Sequence, residues 1–200
     1  MKLHGPRGKI ARALGIAITP KTARILERRP TRPGQHGAAP SRKASDYKRQ
    51  LLEKQRLRAQ YAIGERQLRN AFEKASRLGG NTGERLLQLL ECRLDVVVLR
   101  AGFARTIYAA RQLVSHGHIE VDGARCTAPS RVLEPADTVS LRERSRDHPS
   151  VVAALEARPP RFEHLEVDAE KRRARLVAVP HRDLIPVICE TSLVVEFYSR

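Results

Sequence analysis

Residues 106–127 read TIYAARQLVSHGHIEVDGARCT, and the spacing of their apolar residues changes once, at Gly117. Before that glycine, Ile107, Ala110, Leu113 and Val114 recur at the spacing of one buried helical face. A helix is therefore expected from about Thr106 to His116. Tyr108, Arg111, Gln112 and Ser115 form a second stripe at i, i+3, i+4 and i+7, which presents hydrogen-bond donors and a cation. An ordinary amphipathic helix has the same period, so the spacing alone leaves both readings open. Arg111 reads as an exposed position, where Arg111→Ala should change folding by no more than about 0.5 kcal/mol. After Gly117 the period is two. Ile119 and Val121 alternate with polar residues, Asp122-Gly123 follows, and Ala124–Thr127 returns, which is the pattern of a type I′ hairpin.

Working outward, the same criteria organise the rest of the chain. Upstream, Leu68, Ala71, Phe72, Ala75 and Leu78 mark a helix over Glu65–Leu78, ended by Gly79-Gly80-Asn81. Thr82 can cap the next helix, whose buried side runs from Leu86 to Val98, with a bend near Cys92 and a stop at Gly102. Ser45 can cap a helix that begins at Asp46 and continues to about Tyr61. That helix has a poor apolar stripe, and Lys48, Arg49, Lys54, Arg56 and Arg58 are distributed around it, as on a helix that lies on phosphates. Residues 1–45 are basic and broken by Pro6, Pro20, Pro30, Pro33 and Pro40, so they read as an extended arm with at most a short helix near Lys9–Leu14. Downstream, Thr138–Leu141 alternates as a strand, and Ser150–Arg158 reads as a short helix. Leu165–Val167 and Leu176–Val179 read as strands joined by the charged turn Asp168–Arg173. Leu193–Tyr198 reads as a last strand. The expected fold class is α+β: a basic N-terminal arm over 1–45, a helical domain over 46–91, and a domain over 92–200 with a small antiparallel sheet and a C-terminal strand.

The chain has 200 residues and a formal net charge of +16. A chain of this length buries roughly 70% of its unfolded surface, enough for a real core. No apolar run approaches the ~20 residues of a membrane-spanning helix, and Met1–Pro6 lacks the apolar stretch of a secretory signal. The charge is uneven. Residues 1–60 hold 16 Lys and Arg against 3 Asp and Glu, while residues 61–200 hold 22 against 19. That crowding at one end is the footprint of a polyanion partner, and nucleic acid is the commonest one. Arg outnumbers Lys 30 to 8. Its planar fork suits phosphates and stacks on bases, although a GC-rich genome would also favour it. Cys92, Cys126 and Cys189 are scattered with no C-x-x-C, so neither a zinc ribbon nor a redox pair is written here. His116 and His118 are two apart, a spacing that can chelate a metal on a strand, but no acid or thiol partner stands at ligand spacing.

The order Arg93-Leu94-Asp95, Gly102-Phe103-Ala104, Ala110–Ile119 and Val121-Asp122-Gly123 resembles the alpha-L RNA-binding motif. Pro33-Gly34-Gln35-His36-Gly37, Ser45-Asp46-Tyr47, Gly79–Glu84 and the ending Val195–Ser199 resemble the bacterial and organellar small-subunit ribosomal protein S-four family, in matching order over essentially all 200 residues. The resemblance implies a helical domain with a basic arm and an alpha-L domain on an antiparallel sheet. It implies direct binding of small-subunit ribosomal RNA, nucleation of subunit assembly, contact with neighbouring small-subunit proteins, and a place in the cytoplasmic ribosome. It also implies a contribution to decoding accuracy and to unwinding where messenger RNA enters the subunit, carried over onto Arg42, Lys43 and Lys48. Some family members carry a zinc knuckle opening with C-x-x-C. Gly8 and Ala11 stand at the matching positions, so a metal-free form without a cofactor is expected.

The candidate RNA-binding residues follow from charge, stacking and capping together with that resemblance. In the arm they are Arg7, Lys9, Gln35 and His36, followed by Arg42 and Lys43. On the helix after Ser45 they are Tyr47, Lys48, Arg49, Lys54, Arg56 and Arg58. Arg66, Arg69, Asn81 and Thr82 follow. Around the alpha-L helix they are Arg105, Tyr108, Arg111, Gln112, Ser115, His116 and His118. Phosphate contacts give affinity and salt dependence, and residues on locked helices read RNA shape and 2′-hydroxyls. The alpha-L motif also accompanies RNA-modifying enzymes, but these need a further catalytic domain for which no residues remain. A free-standing RNA-binding regulator is the alternative, and it would leave the ribosome in a high-salt wash.

Overall fold

The computed structural model describes residues 5–39, 43–157 and 160–200. The chain divides into two compact units, 1–86 with 186–200, and 87–185. No described helix is long and apolar enough to cross a membrane.

The first unit is helical: α1 Arg7–Leu14, α2 Pro20–Arg28, α3 Asp46–Tyr61, α4 Glu65–Arg77, the start of α5 Thr82–Glu91, and a C-terminal helix Thr191–Tyr198. The arm is therefore not extended. Pro20 occupies the first turn of α2, where a missing N–H costs nothing, and Thr19 and Thr22 close a capping box there. Leu14, Ile16 and Ala59 are buried together, which joins the α1 end of the arm to α3.

The expected strand at Leu193–Tyr198 is also a helix, and it packs along α3. A short apolar run with two valines fits either state, and here the partner decides. The ring of Phe197 lies 5.9 Å from that of Tyr47, and Tyr198 lies 5.0 Å from Phe72. These contacts explain why α3 lacks an apolar stripe. Its polar side chains bond to the C-terminal segment, and two of them, Gln50 and Glu53, are buried. Gln50 Nε2 donates to Glu196 at 2.8 Å, Glu53 accepts from the Glu190 N–H at 3.1 Å, and Gln60 exchanges two bonds with the Ile188 backbone. Residues 186–200 thus join the first unit, although the sequence reading grouped them with 92–200.

The second unit is α+β. After α5 the chain breaks at Cys92-Arg93 and resumes as α6 Leu94–Arg100, close to the expected bend. Then come α7 Ile107–Ser115, β1 Ile119–Val121, β2 Ala124–Arg125, β3 Thr138–Leu141, α8 Pro149–Glu156, β4 Leu165–Asp168 and β5 Arg173–Leu176, which makes the C-terminal Thr191–Tyr198 helix α9. The sheet is antiparallel in the order β2-β1-β3-β5-β4. Asp122 and Gly123 take φ of 51° and 78°, the left-handed pair a type I′ turn requires. The strand expected over Leu176–Val179 instead ends at Leu176. Arg173–Leu176 alternates exposed and buried, so the arginines lie outside while Ala174 and Leu176 enter the core. One core joins Ala110, Leu113 and Val114 of α7 to Ile119, Val121, Val139, Leu141, Ala174 and Leu176 of the sheet. α7 consequently covers one face of the sheet, and the alternate residues point to the other.

Candidate nucleic-acid interface

In the first unit the cations sort into two groups. Lys54 and Arg58 are buried, and both pair with Glu65, at 3.0 and 3.1 Å. Lys54 Nζ also sits 4.1 Å over the Phe197 ring. Arg56 donates from Nε to the Leu14 carbonyl at 2.9 Å and pairs with Glu53, tying α3 to the end of α1. These three face protein rather than solvent. The reading of α3 as a helix that lies on phosphates is corrected accordingly: its C-terminal half is wrapped by protein, and its charges are compensated there.

The start of α3 behaves differently. Lys43, Tyr47, Lys48 and Arg49 are exposed, and Ser45 Oγ accepts the Lys48 N–H and fixes the first turn. Arg49 meets Asp46 at 2.6 Å in an exposed pair that contributes little. Arg42 lies outside the described residues. Gln35 and His36 are exposed in the turn-rich stretch, as are Arg7 and Lys9 at the start of α1, and Arg66 and Arg69 on α4. Asn81, not Thr82, caps α5: its Oδ1 accepts the N–H groups of Gly83 and Glu84 at 3.0 and 3.3 Å, and Thr82 is the first helical residue.

One group escaped the sequence reading. Lys21, Arg24 and Arg28 are exposed at i, i+3 and i+7 of α2, a row of three cations with no acidic partner among the described residues. The spacing was legible, but reading Pro20 as a breaker rather than a helix start concealed it.

In the second unit, Thr106 caps α7 by accepting the Ala109 N–H. Gln112, Ser115 and His116 are exposed, Tyr108 is half-buried, and Arg105 is exposed just before the helix. Arg111 is not free as expected. Asp95 is fully buried and is clasped by two guanidinium groups. Arg93 donates to both of its oxygens at 3.0 Å, and Arg111 reaches Oδ2 from Nε at 3.1 Å and Nη2 at 2.6 Å. Arg111 therefore joins α7 to the start of α6, and Gln112 and Ser115 remain as the open part of the stripe, beside the half-buried Tyr108. His118 Nδ1 lies 2.9 Å from Ser145 Oγ, and its ring centroid is 5.3 Å from that of His148. Burial holds its pKa below the ordinary imidazole value, helped by His148, His116, Arg144 and Arg142, so it offers a neutral ring at neutral pH. The turn at Gly117 has φ of 73°, and a Cβ there would collide with the Arg125 guanidinium. This places one more exposed cation, absent from the sequence reading, beside the α7 end.

Each unit thus presents its own set of exposed polar groups, cations, amides and hydroxyls, on helices fixed by buried charge clasps. These groups can hold phosphates and sugar hydroxyls.

Comparison with known proteins finds two families matched in succession along the chain. The family described as "Ribosomal protein S4/S9 N-terminal domain" matches residues 2–91, and the "S4 domain" matches residues 92–139. The chain is 51% identical to the small ribosomal subunit protein uS4 of Streptomyces avermitilis, over 98% of this chain and 97% of that protein. It is 52% identical to the uS4 protein of an Arthrobacter species, over 96% and 95%, and 52% identical to that of Micrococcus luteus, over 95% and 94%.

Proposed function

We propose, from the premise that this chain belongs to the small ribosomal subunit protein uS4 family, that it is a structural constituent of the bacterial small ribosomal subunit and binds the subunit's RNA directly. It is not an enzyme. The observation that carries the RNA contact is the sorting of charge. Cations that pair with Glu65, Glu53 and Asp95 hold the fold, while the row on α2, the start of α3 and the open stripe of α7 face solvent. RNA contact at those surfaces early in assembly would order the neighbouring RNA for later proteins. Lys43 and Lys48, exposed at the α3 start, support a contact with messenger RNA where it enters the subunit. Neighbouring small-subunit proteins complete the set of partners, in the cytoplasm.

The test is filter binding of the full chain to protein-free small-subunit RNA over a range of salt. Each phosphate contact contributes about 0.7–0.9 to the slope of log K against log salt. Substituting Lys21, Arg24 and Arg28 together by alanine should therefore flatten the slope by about 2. An unchanged slope would remove α2 from the interface. The free-standing regulator separates from this reading in a high-salt wash: the subunit component stays with the particle, and a regulator is released.

A further inference from the structure

Residues of the sheet that alternate with its core set point away from α7. Glu120 of β1 pairs in register with Ser140 of β3, and Ser140 with Arg173 of β5, so the three form a row across the outer face. Where β3 ends, the chain makes a 3-10 turn at Glu143–Ser145, and Arg142, Arg144 and Arg146 surround it. Lys171 arrives from the β4–β5 turn. Together these segments line an open cleft of about 860 Å³ that also contains Asp122 and the hydroxyls of Thr138 and Ser140.

The charge of this cleft is not a sample of the unit around it. Residues 87–185 hold 16 Lys and Arg against 14 Asp and Glu, close to balance. The cleft brings together five cations, Arg142, Arg144, Arg146, Lys171 and Arg173, against three carboxylates. Two of the five are paired: Arg142 with Glu120 at 3.2 Å, and Lys171 with Asp168 at 3.6 Å. Arg144, Arg146 and Arg173 are exposed and have no acidic partner among the described residues. Cations gathered from two separate segments, one after β3 and one at the start of β5, repel one another in the isolated protein, and an incoming anion relieves that repulsion. The lining is mostly polar, with guanidinium forks and hydroxyls, which suits a sugar–phosphate backbone better than an apolar ligand.

We infer that this cleft is a second seat for an RNA backbone, on the sheet face opposite α7, so that the second unit is held by RNA from two sides. The inference rests on the RNA-binding reading above and extends it to a surface outside the alpha-L stripe.

The experiment uses the full chain and protein-free small-subunit RNA. Arg144 and Arg173 are replaced together, by alanine in one variant and by lysine in another. Both side chains are solvent-exposed, and circular dichroism with a thermal melt verifies that each variant is folded. The alanine variant should lose about 1.5 from the slope of log K against log salt, as expected for two phosphate contacts. The lysine variant should regain most of it. Wild-type slope and affinity in the alanine variant, with tight binding by the wild type, would overturn the second seat and leave the proposed function standing. Loss of a protein neighbour from reconstituted particles with RNA affinity unchanged would overturn it in favour of an acidic protein surface. No RNA binding by the wild type would remove both readings.

Discussion

Asp95→Ala lowers the stability of the second unit by about 3–5 kcal/mol, the usual cost of leaving buried charge without its partner. The side chain is fully buried, and four hydrogen bonds reach it from Arg93 and Arg111. Removing it strands Arg93, itself buried, and frees Arg111 from α7's junction with α6. Nearby backbone bonds share the same corner: the Asp95 N–H donates to the Pro129 carbonyl at 3.1 Å, and the Leu94 N–H to Arg131 at 2.8 Å. Asp95→Asn keeps the shape and loses the charge, so it should fall between the variant and the wild type. Arg111→Ala should cost less than Asp95→Ala, because Arg93 keeps both carboxylate oxygens occupied and Arg111 is partly exposed. It should still cost more than the half kilocalorie expected of a solvated arginine. Urea unfolding followed by circular dichroism measures all three. An Asp95→Ala variant within 1 kcal/mol of the wild type, the upper end of an exposed pair, would show that the clasp is dispensable. RNA affinity should fall with Asp95→Ala even where the fold survives, because Tyr108, Gln112 and Ser115 depend on the position of α7.

The clasp also shows what the sequence could and could not reveal. The α7 helix, the Asp122-Gly123 hairpin and the Thr138–Leu141 strand were legible because each carries its own period or turn chemistry. Arg111 stood on the correct stripe, but its partner lies 16 residues away, and no local pattern encodes that pairing. The same limit applies at α3. Lys54 and Arg58 look like phosphate ligands until residues from α4 and the C-terminus are brought against them. The strand expected at Leu193–Tyr198 became a helix because Phe197 and Tyr198 had a helical surface to cover, and that information resides in Tyr47 of α3 and in Glu65 and Phe72 of α4, far upstream. In the arm, each proline has the signature of a break, yet Pro20 starts a helix because its missing N–H falls in the first turn. In the second unit, the cations of the outer cleft come from segments that are near one another only after the sheet forms.

Glu65→Ala is the corresponding test in the first unit. The carboxylate opens α4 and receives Lys54 at 3.0 Å, Arg58 at 3.1 Å and the Tyr198 hydroxyl at 2.8 Å. Lys54 and Arg58 are both buried, so alanine leaves two cations without a carboxylate, and Tyr198 loses its acceptor. Glu65 itself is 38% exposed at the side chain, and Lys54 keeps its position over Phe197, so water and the ring offset part of the loss. The expected cost is therefore about 2–4 kcal/mol, somewhat below that for a fully buried pair. A pH series separates this charge hub from simple packing. Burial pushes the Glu65 pKa up, but hydrogen bonds from Lys54 and Tyr198 and the attraction of Lys54 and Arg58 outweigh it, and the net shift is downward from 4.5. A carboxylate with a depressed folded pKa stabilises the protein fully above its unfolded value and loses that contribution as the pH falls through the folded value. Wild-type stability should then decline below about pH 4.5 more steeply than that of Glu65→Ala, and the two curves should converge in acid. Glu65→Gln retains an acceptor for Tyr198 without titrating, so it should show the flatter acid profile with a smaller loss at neutral pH. Parallel curves for wild type and Glu65→Ala between pH 3 and 7 would mean that Lys54 and Arg58 are neutralised elsewhere, and the inward assignment of those two cations would have to be abandoned.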